Sequence, residues 1–326
     1  MSPTAATPTP PVPWPATGTH APPVVLVGPT GVGKTEVACA LAEQLDAEII
    51  SCDSMQVYCH MAVLTQQPTD AQRLRVAHHL VHCVQPFEAF SVAQFRERAT
   101  AMLTHIRARG KRVLLVGGTG LYVRALLDGL CLAPPADLIL RARLMQQSRT
   151  VGPEALHAFL AQLDPLAASR IQRRDLRRII RALEVFTLTG QPLSRLWEQT
   201  EGLSDREPVI QCGLTRPRET LYRRIDERTT RLLQEGAVEE VRALRERSLS
   251  QTARQVLGFN EISGALEGHY NWAEAQRLLA RNTRHYARRQ LIWFRRDKRI
   301  QWYEAQPFDT TQAIAERLLQ TVEVAR

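Results

Sequence analysis

The octapeptide GPTGVGKT, Gly28 to Thr35, constrains this chain more than any other feature. Gly28, then Gly33, Lys34 and Thr35 after four intervening residues, occupy every fixed place of a phosphate-binding loop. Such a loop works where a strand feeds it and a helix leaves it. Backbone N–H groups at the helix start then converge on an anion, with the helix dipole behind them. The flanks meet that demand: Val24 to Val27 is a short apolar run, and Val37, Leu41 and Leu45 recur at helical spacing beyond the loop. Gly28, Pro29, Thr30, Gly31, Val32, Gly33, Lys34 and Thr35 are therefore expected to cradle phosphate. Lys34 adds a point charge and the Thr35 hydroxyl offers a ligand to Mg²⁺. The loop alone does not say which phosphate it holds.

Further β-type runs at Glu48–Ser51, Arg112–Val116, Val209–Leu214 and Arg299–Tyr303 alternate with helical patterns. That alternation predicts an α/β fold, a P-loop NTPase-like parallel sheet wrapped by helices. Residues 131–207 break the alternation with helical sequence only, so they read as an all-helical insertion between core segments 24–130 and 208–326. The long charged pattern from Glu219 to Arg247 reads as two helices parted at Gly236, its apolar positions taken as packing. Residues 1–23, rich in Pro, Thr and Ala, read as a disordered tail.

The chain has 326 residues and a net charge of +9, which points to an acidic partner. Nine Arg and Lys stand against the single acid Asp297 between Arg277 and Arg299, interleaved with Tyr286, Trp293 and Phe294. A second basic run, RIQRRDLRRIIR, spans Arg170 to Arg181. A basic run alone is commonly a solvated helix face. Two of them beside a phosphate loop favour a nucleic acid. Six scattered cysteines with no CxxC pair fit a reduced, cytoplasmic setting. HHLVHC, His78 to Cys83, is followed by no second ligand pair at finger spacing, which argues against zinc. No apolar run reaches membrane-spanning length, so no membrane association is expected.

Two more segments carry chemistry. The second strand runs into SCDSMQVY, placing Asp53 at a carboxyl strand end, where ligands of open α/β sheets sit. A carboxylate there can hold Mg²⁺, take a proton from a nucleophile, or cap a turn. The third strand runs into GGTG, which leaves the Thr119 hydroxyl at the same rim between glycines that permit close approach.

GPTGVGKT, CDSMQVY, LLVGGTGLYVRALLDGL, RALEVFTLTGQPLS and RNTRHYARRQLIWFRRD, in this order and spacing, resemble the bacterial tRNA dimethylallyltransferases, also called tRNA isopentenyltransferases. The resemblance runs from about Val24 to Tyr303. It implies transfer of a dimethylallyl group from its diphosphate to N6 of the adenosine just 3′ of a tRNA anticodon, with Mg²⁺. The loop would then hold a prenyl diphosphate rather than ATP. Carried over residue by residue, Asp53 becomes the acceptor of the N6 proton, Thr119 a hydrogen-bonding partner near the reacting centre, and Lys34 a stabiliser of the leaving diphosphate. Asp53, Ser54, Met55, Gln56 and Thr119, with Arg141, Arg177, Arg178, Arg181, Gln255 and Gly258, fall where the family contacts the tRNA anticodon arm. One arm per active site leads us to expect a monomer.

The chain departs from the family pattern at AVLTQQP (Ala62 to Pro68), which lacks the usual lysine, and at AHHL, IQRRD and GFNE. These changes bear on tRNA selection more than on the donor site. Two rival readings fit the loop. A nucleoside or small-molecule kinase would use the same loop for ATP but leaves the arginine-rich end without a task. A non-catalytic tRNA-binding relative has no need of Lys34, Thr35, Asp53 and Thr119 together.

Overall fold

The computed structural model describes residues 20–131 and 133–324, so most of the expected tail at 1–23 lies outside the described residues. Six strands form one all-parallel sheet in the order β3-β2-β4-β1-β5-β6. They are β1 (Val24–Val27), β2 (Ala47–Ser51), β3 (His78–His79), β4 (Arg112–Gly117), β5 (Ile210–Thr215) and β6 (Gln301–Glu304). The five expected strands appear, β1 with the expected ends and the others with ends shifted by one or two residues. The edge strand β3 is new, and two residues are too few to show a period of two.

A strand covered on both faces must be apolar throughout, which is why β1 reads VVLV. Val24 and Leu26 pack on one side, with Leu41 of the first helix (Lys34–Leu45) and with Ile314 and Leu318 of the final helix (Thr311–Val324). Val25 and Val27 pack on the other, with Phe95, Leu103 and Tyr122. Burying each such side chain is worth about 1.5 to 3 kcal/mol.

The topology places the site. From β1 the chain crosses past β4 to reach β2, whereas β5 lies on the opposite flank of β1. The strand order reverses there, and the carboxyl ends of β1, β2 and β4 open into one crevice. Gly236 parts two helices as expected: it sits at φ 108°, a left-handed conformation, between Arg218–Gln234 and Ala237–Arg245.

Asp128–Gly202 forms a separate compact unit whose described regular structure is entirely helical. Leu156, Leu160, Ile179 and Leu183 make its core. Asp164 fastens two of its helices, one carboxylate oxygen accepting from Ala167 N at 3.0 Å and the other from Ser194 N at 2.9 Å. Among the described residues the cysteines are unpaired, and no helix is long and apolar enough to cross a membrane.

Candidate active site

The phosphate loop is shaped by glycines that sterics require. A Cβ on Gly28 would lie 2.4 Å from Leu214 O, and Gly31 and Gly33 adopt left-handed φ of 84° and 101°. Gly33 heads the first helix without any side-chain cap, so the N–H groups of the first turn point to the mouth unclaimed by a capping side chain. Lys34 Nζ donates to Gly28 O and Pro29 O, both at 2.9 Å. Burial, helped by Arg228, brings its pKa down to about 8, while Asp53 and Glu36 pull it back. A half-buried ammonium held by two carbonyls is poised for an anion.

The second wall comes from β2 and β4. Cys52 N donates to Val116 O at 2.7 Å and Thr119 N to Cys52 O at 3.1 Å. A Cβ at Gly117 would stand 2.2 Å from Cys52 O, so the glycine lets the two strand ends close together. Asp53, Ser54 and Thr119 are thereby brought side by side. Ser54 N donates to Thr119 Oγ1 at 3.0 Å, and Thr119 Oγ1 lies 3.3 Å from Ser54 Oγ. Asp53 Oδ1 accepts from Met55 N at 2.9 Å, a local turn contact that leaves Oδ2 for other work. Thus the turn contact occupies one oxygen of the carboxylate, and the other makes no hydrogen bond among the described residues.

The remaining expected residues divide. Met55 packs against the core, and the Gln56 amide is engaged by Ser51 Oγ and by Gln66 O, bracing the AVLTQQP segment. Gly258 is buried at φ 99°, its N–H donating to the Glu261 carboxylate at 3.0 Å, and Gln255 is exposed on a short 3₁₀ turn. In the helical unit Arg177 and Arg178 are exposed. Arg141 and Arg181 instead both hold the fully buried Glu184 carboxylate, at 2.9 and 2.6 Å. Burial pushes Glu184 up, but the two guanidinium groups and Asp137 N–H outweigh it and keep the carboxyl below its ordinary range.

Sequence reasoning missed a third wall. The Arg218–Gln234 helix follows β5, the neighbour of β1, and lies over the loop. Arg224 Nε donates to Gly31 O at 3.1 Å and Arg228 Nη2 to Thr30 Oγ1 at 2.8 Å. Burial lowers the Arg228 pKa to about 10, with Asp53 the strongest opposing influence. Behind them Arg216 Nε donates to Val32 O at 3.0 Å. None of these arginines, nor Lys34, forms an ion pair among the described residues. The only advance signal was the i,i+4 spacing of Arg224 and Arg228.

The Trp272–Phe294 helix closes the site with Gln290 and Tyr286. Buried Gln290 accepts from Thr30 N at 2.8 Å and donates to Gly118 O at 2.9 Å, so one amide ties the phosphate loop to the GGTG turn. The Tyr286 phenol lies close to the Thr119 and Gln290 side chains. Burial, with Asp53 adding to it, pushes its phenol up, so it remains a neutral hydroxyl.

The Thr35 hydroxyl is half-buried and makes no hydrogen bond among the described residues. No three His, Cys, Asp or Glu side chains gather as a metal cage among them either. That donor set suits Mg²⁺, which keeps several waters and binds through one or two protein oxygens plus substrate phosphates.

Comparisons with known proteins agree with this geometry. The model of the IPP transferase family matches residues 56–297. A tRNA dimethylallyltransferase of Geobacter metallireducens is 46% identical over 86% of this chain and 92% of its own length. One of Carboxydothermus hydrogenoformans is 40% identical over 91% and 96%. The solved structure of full-length tRNA isopentenylpyrophosphate transferase from Bacillus halodurans superposes with a TM-score of 0.68 at 37% identity, covering 94% of this chain and 98% of that one. With the family model spanning most of its length, and relatives of this identity matching nearly end to end, the chain belongs to the IPP transferase family.

Proposed function

We propose that this protein is a tRNA dimethylallyltransferase that moves a dimethylallyl group from dimethylallyl diphosphate to N6 of the adenosine 3′ of the anticodon. The observation that carries the reading is the meeting of Asp53 and Thr119 with a loop ringed by Lys34, Arg224 and Arg228, cations that have no acid partner among the described residues. Such a ring favours a multiply charged anion, and relatives of this chain bear the transferase name.

The diphosphate lies on the loop amides, with Lys34 and Arg228 at its oxygens. As the allylic C–O bond breaks, its electron pair goes to the diphosphate, and these preformed donors stabilise the growing charge. Thr35 would hold Mg²⁺, which when bound neutralises part of the diphosphate charge. The acceptor adenine leaves its stack to reach the buried donor. Its exocyclic amine is a weak nucleophile because the lone pair is delocalised into the ring. A new N6–C bond forms as the C–O bond breaks, and the N6 proton passes to Asp53 Oδ2. Thr119, fixed by Ser54 N–H, orients the adenine edge. All these groups come from one chain, and we take a monomer as the working unit.

Incubating the protein with unfractionated tRNA and labelled dimethylallyl diphosphate or labelled ATP tests this. The expected result is label in tRNA adenosine from the prenyl donor alone, with release of diphosphate. Turnover of ATP to ADP with unlabelled tRNA would instead establish a kinase.

A further inference from the structure

At the same sheet edge, on the β5–β6 side of the phosphate loop, lies a cavity of about 400 Å³. Its wall carries Arg216, Arg218, Arg288 and Arg295 against a single acid, Glu304. Arg216 is buried, and its Nε and Nη1 donate to Val32 O and Gln306 O, both at 3.0 Å. Burial, with Arg224 adding to it, lowers its pKa, as for a guanidinium that lacks a counter-anion. The acid whose charge reaches it, Asp309, is already engaged by Tyr303 OH at 2.6 Å and Gln306 N at 2.7 Å. Arg288 and Arg295 are exposed, two helical turns apart on one face, and form no ion pair among the described residues. Ile292 lies between them, 48% exposed, and across the cavity the Tyr222 ring carries the Arg218 guanidinium at 5.1 Å.

Cations at the rim and an apolar, aromatic wall within suit a ligand with a charged head and an organic body. Small-molecule sites run from about 300 to 1,000 Å³, a range that takes in this cavity. We propose that this cavity is a second anion site for a phosphate-bearing ligand of mononucleotide size, its phosphate among Arg218, Arg288 and Arg295 and its body against Ile292 and Tyr222. Arg216, which lines the cavity and holds Val32 O, links the occupant to the phosphate loop. The inference stands on its own residues and does not depend on the transferase reading.

The test uses Lys34→Ala protein, in which the loop is weakened, titrated calorimetrically with ADP. ADP is expected to bind, and the added pair Arg288→Ser and Arg295→Ser to weaken it roughly tenfold or more at an unchanged melting temperature. Inorganic phosphate, lacking the organic body, should bind more weakly than ADP. Displacement of ADP by tRNA would identify the natural phosphate as one of the RNA, and no displacement a free nucleotide. Equal ADP affinity with and without the two arginines would overturn the proposal. So would absence of ADP binding together with tRNA affinity indifferent to the pair.

Discussion

The mouth of the sheet and the helical unit Asp128–Gly202 hold their cations in opposite ways. At the mouth, Lys34, Arg216, Arg224 and Arg228 donate to carbonyls and one hydroxyl. In the helical unit, Arg141 and Arg181 converge on one buried carboxylate, Glu184, which also accepts from Asp137 N at 2.7 Å. A neutral oxygen anchors a cation without cancelling its charge, whereas a carboxylate does both. The mouth therefore stays positive, as the proposed diphosphate donor requires. The helical unit uses the charge of Arg141 and Arg181 to hold itself together, and leaves Arg177 and Arg178 on its surface.

The largest effect should come from one chemical change made in both regions. Asp53→Asn keeps the turn contact to Met55 N but removes the proton acceptor. Turnover should fall about 10²- to 10⁴-fold in kcat, with donor and tRNA Kd nearly unchanged. Glu184→Gln makes the same carboxylate-to-amide change where the group is structural. It should lower stability by about 1.5 to 3 kcal/mol, read as a lower Tm, and leave kcat near the parent value. A wild-type rate for Asp53→Asn would reduce that carboxylate to a turn cap.

Next in size, Lys34→Ala should cost roughly 10²-fold in rate, as for loss of one preorganised donor to a leaving group. Gln290→Leu should follow, at about 10- to 10²-fold in kcat/KM, because it frees the phosphate loop from the GGTG turn without removing any group that touches the donor. Its mark would be a rate defect with donor affinity largely kept. A loss seen only in Tm would show that Gln290 merely packs.

The smallest effect is one of pH. With its pKa brought down to about 8, Lys34 is charged below that value and neutral above it. Dimethylallyl diphosphate affinity should therefore weaken as pH rises from about 7 to 9, by up to about tenfold per unit once the lysine is neutral. Lys34→Ala should lose this component of the profile, and an unchanged profile in that variant would assign the effect to another group.

Much of the fold and half of the site were legible in the sequence, for a physical reason. The phosphate loop is eight consecutive residues whose geometry is local, and Asp53 and Thr119 stand just past strands that their apolar runs announce. Arg224, Arg228, Tyr286 and Gln290 reach the same point from 190 or more residues beyond the loop by way of the β1–β5 pairing, which no local pattern encodes. On a charged helix an arginine bound for a diphosphate and one bound for water look alike. Arg141 shows the converse: its motif position implied RNA, while its partner Glu184, forty-three residues on, was hidden inside RALEVF.

Mouth cations that donate to neutral oxygens keep their charge for the proposed donor. The direct measurement is calorimetric titration of dimethylallyl diphosphate into wild-type, Arg228→Ala and Arg141→Ala proteins at low salt. We expect Arg228→Ala to weaken binding roughly tenfold or more, the worth of a charge-assisted contact, and Arg141→Ala to bind as wild type. Equal affinities for wild type and Arg228→Ala, or an equal loss in both variants, would contradict it.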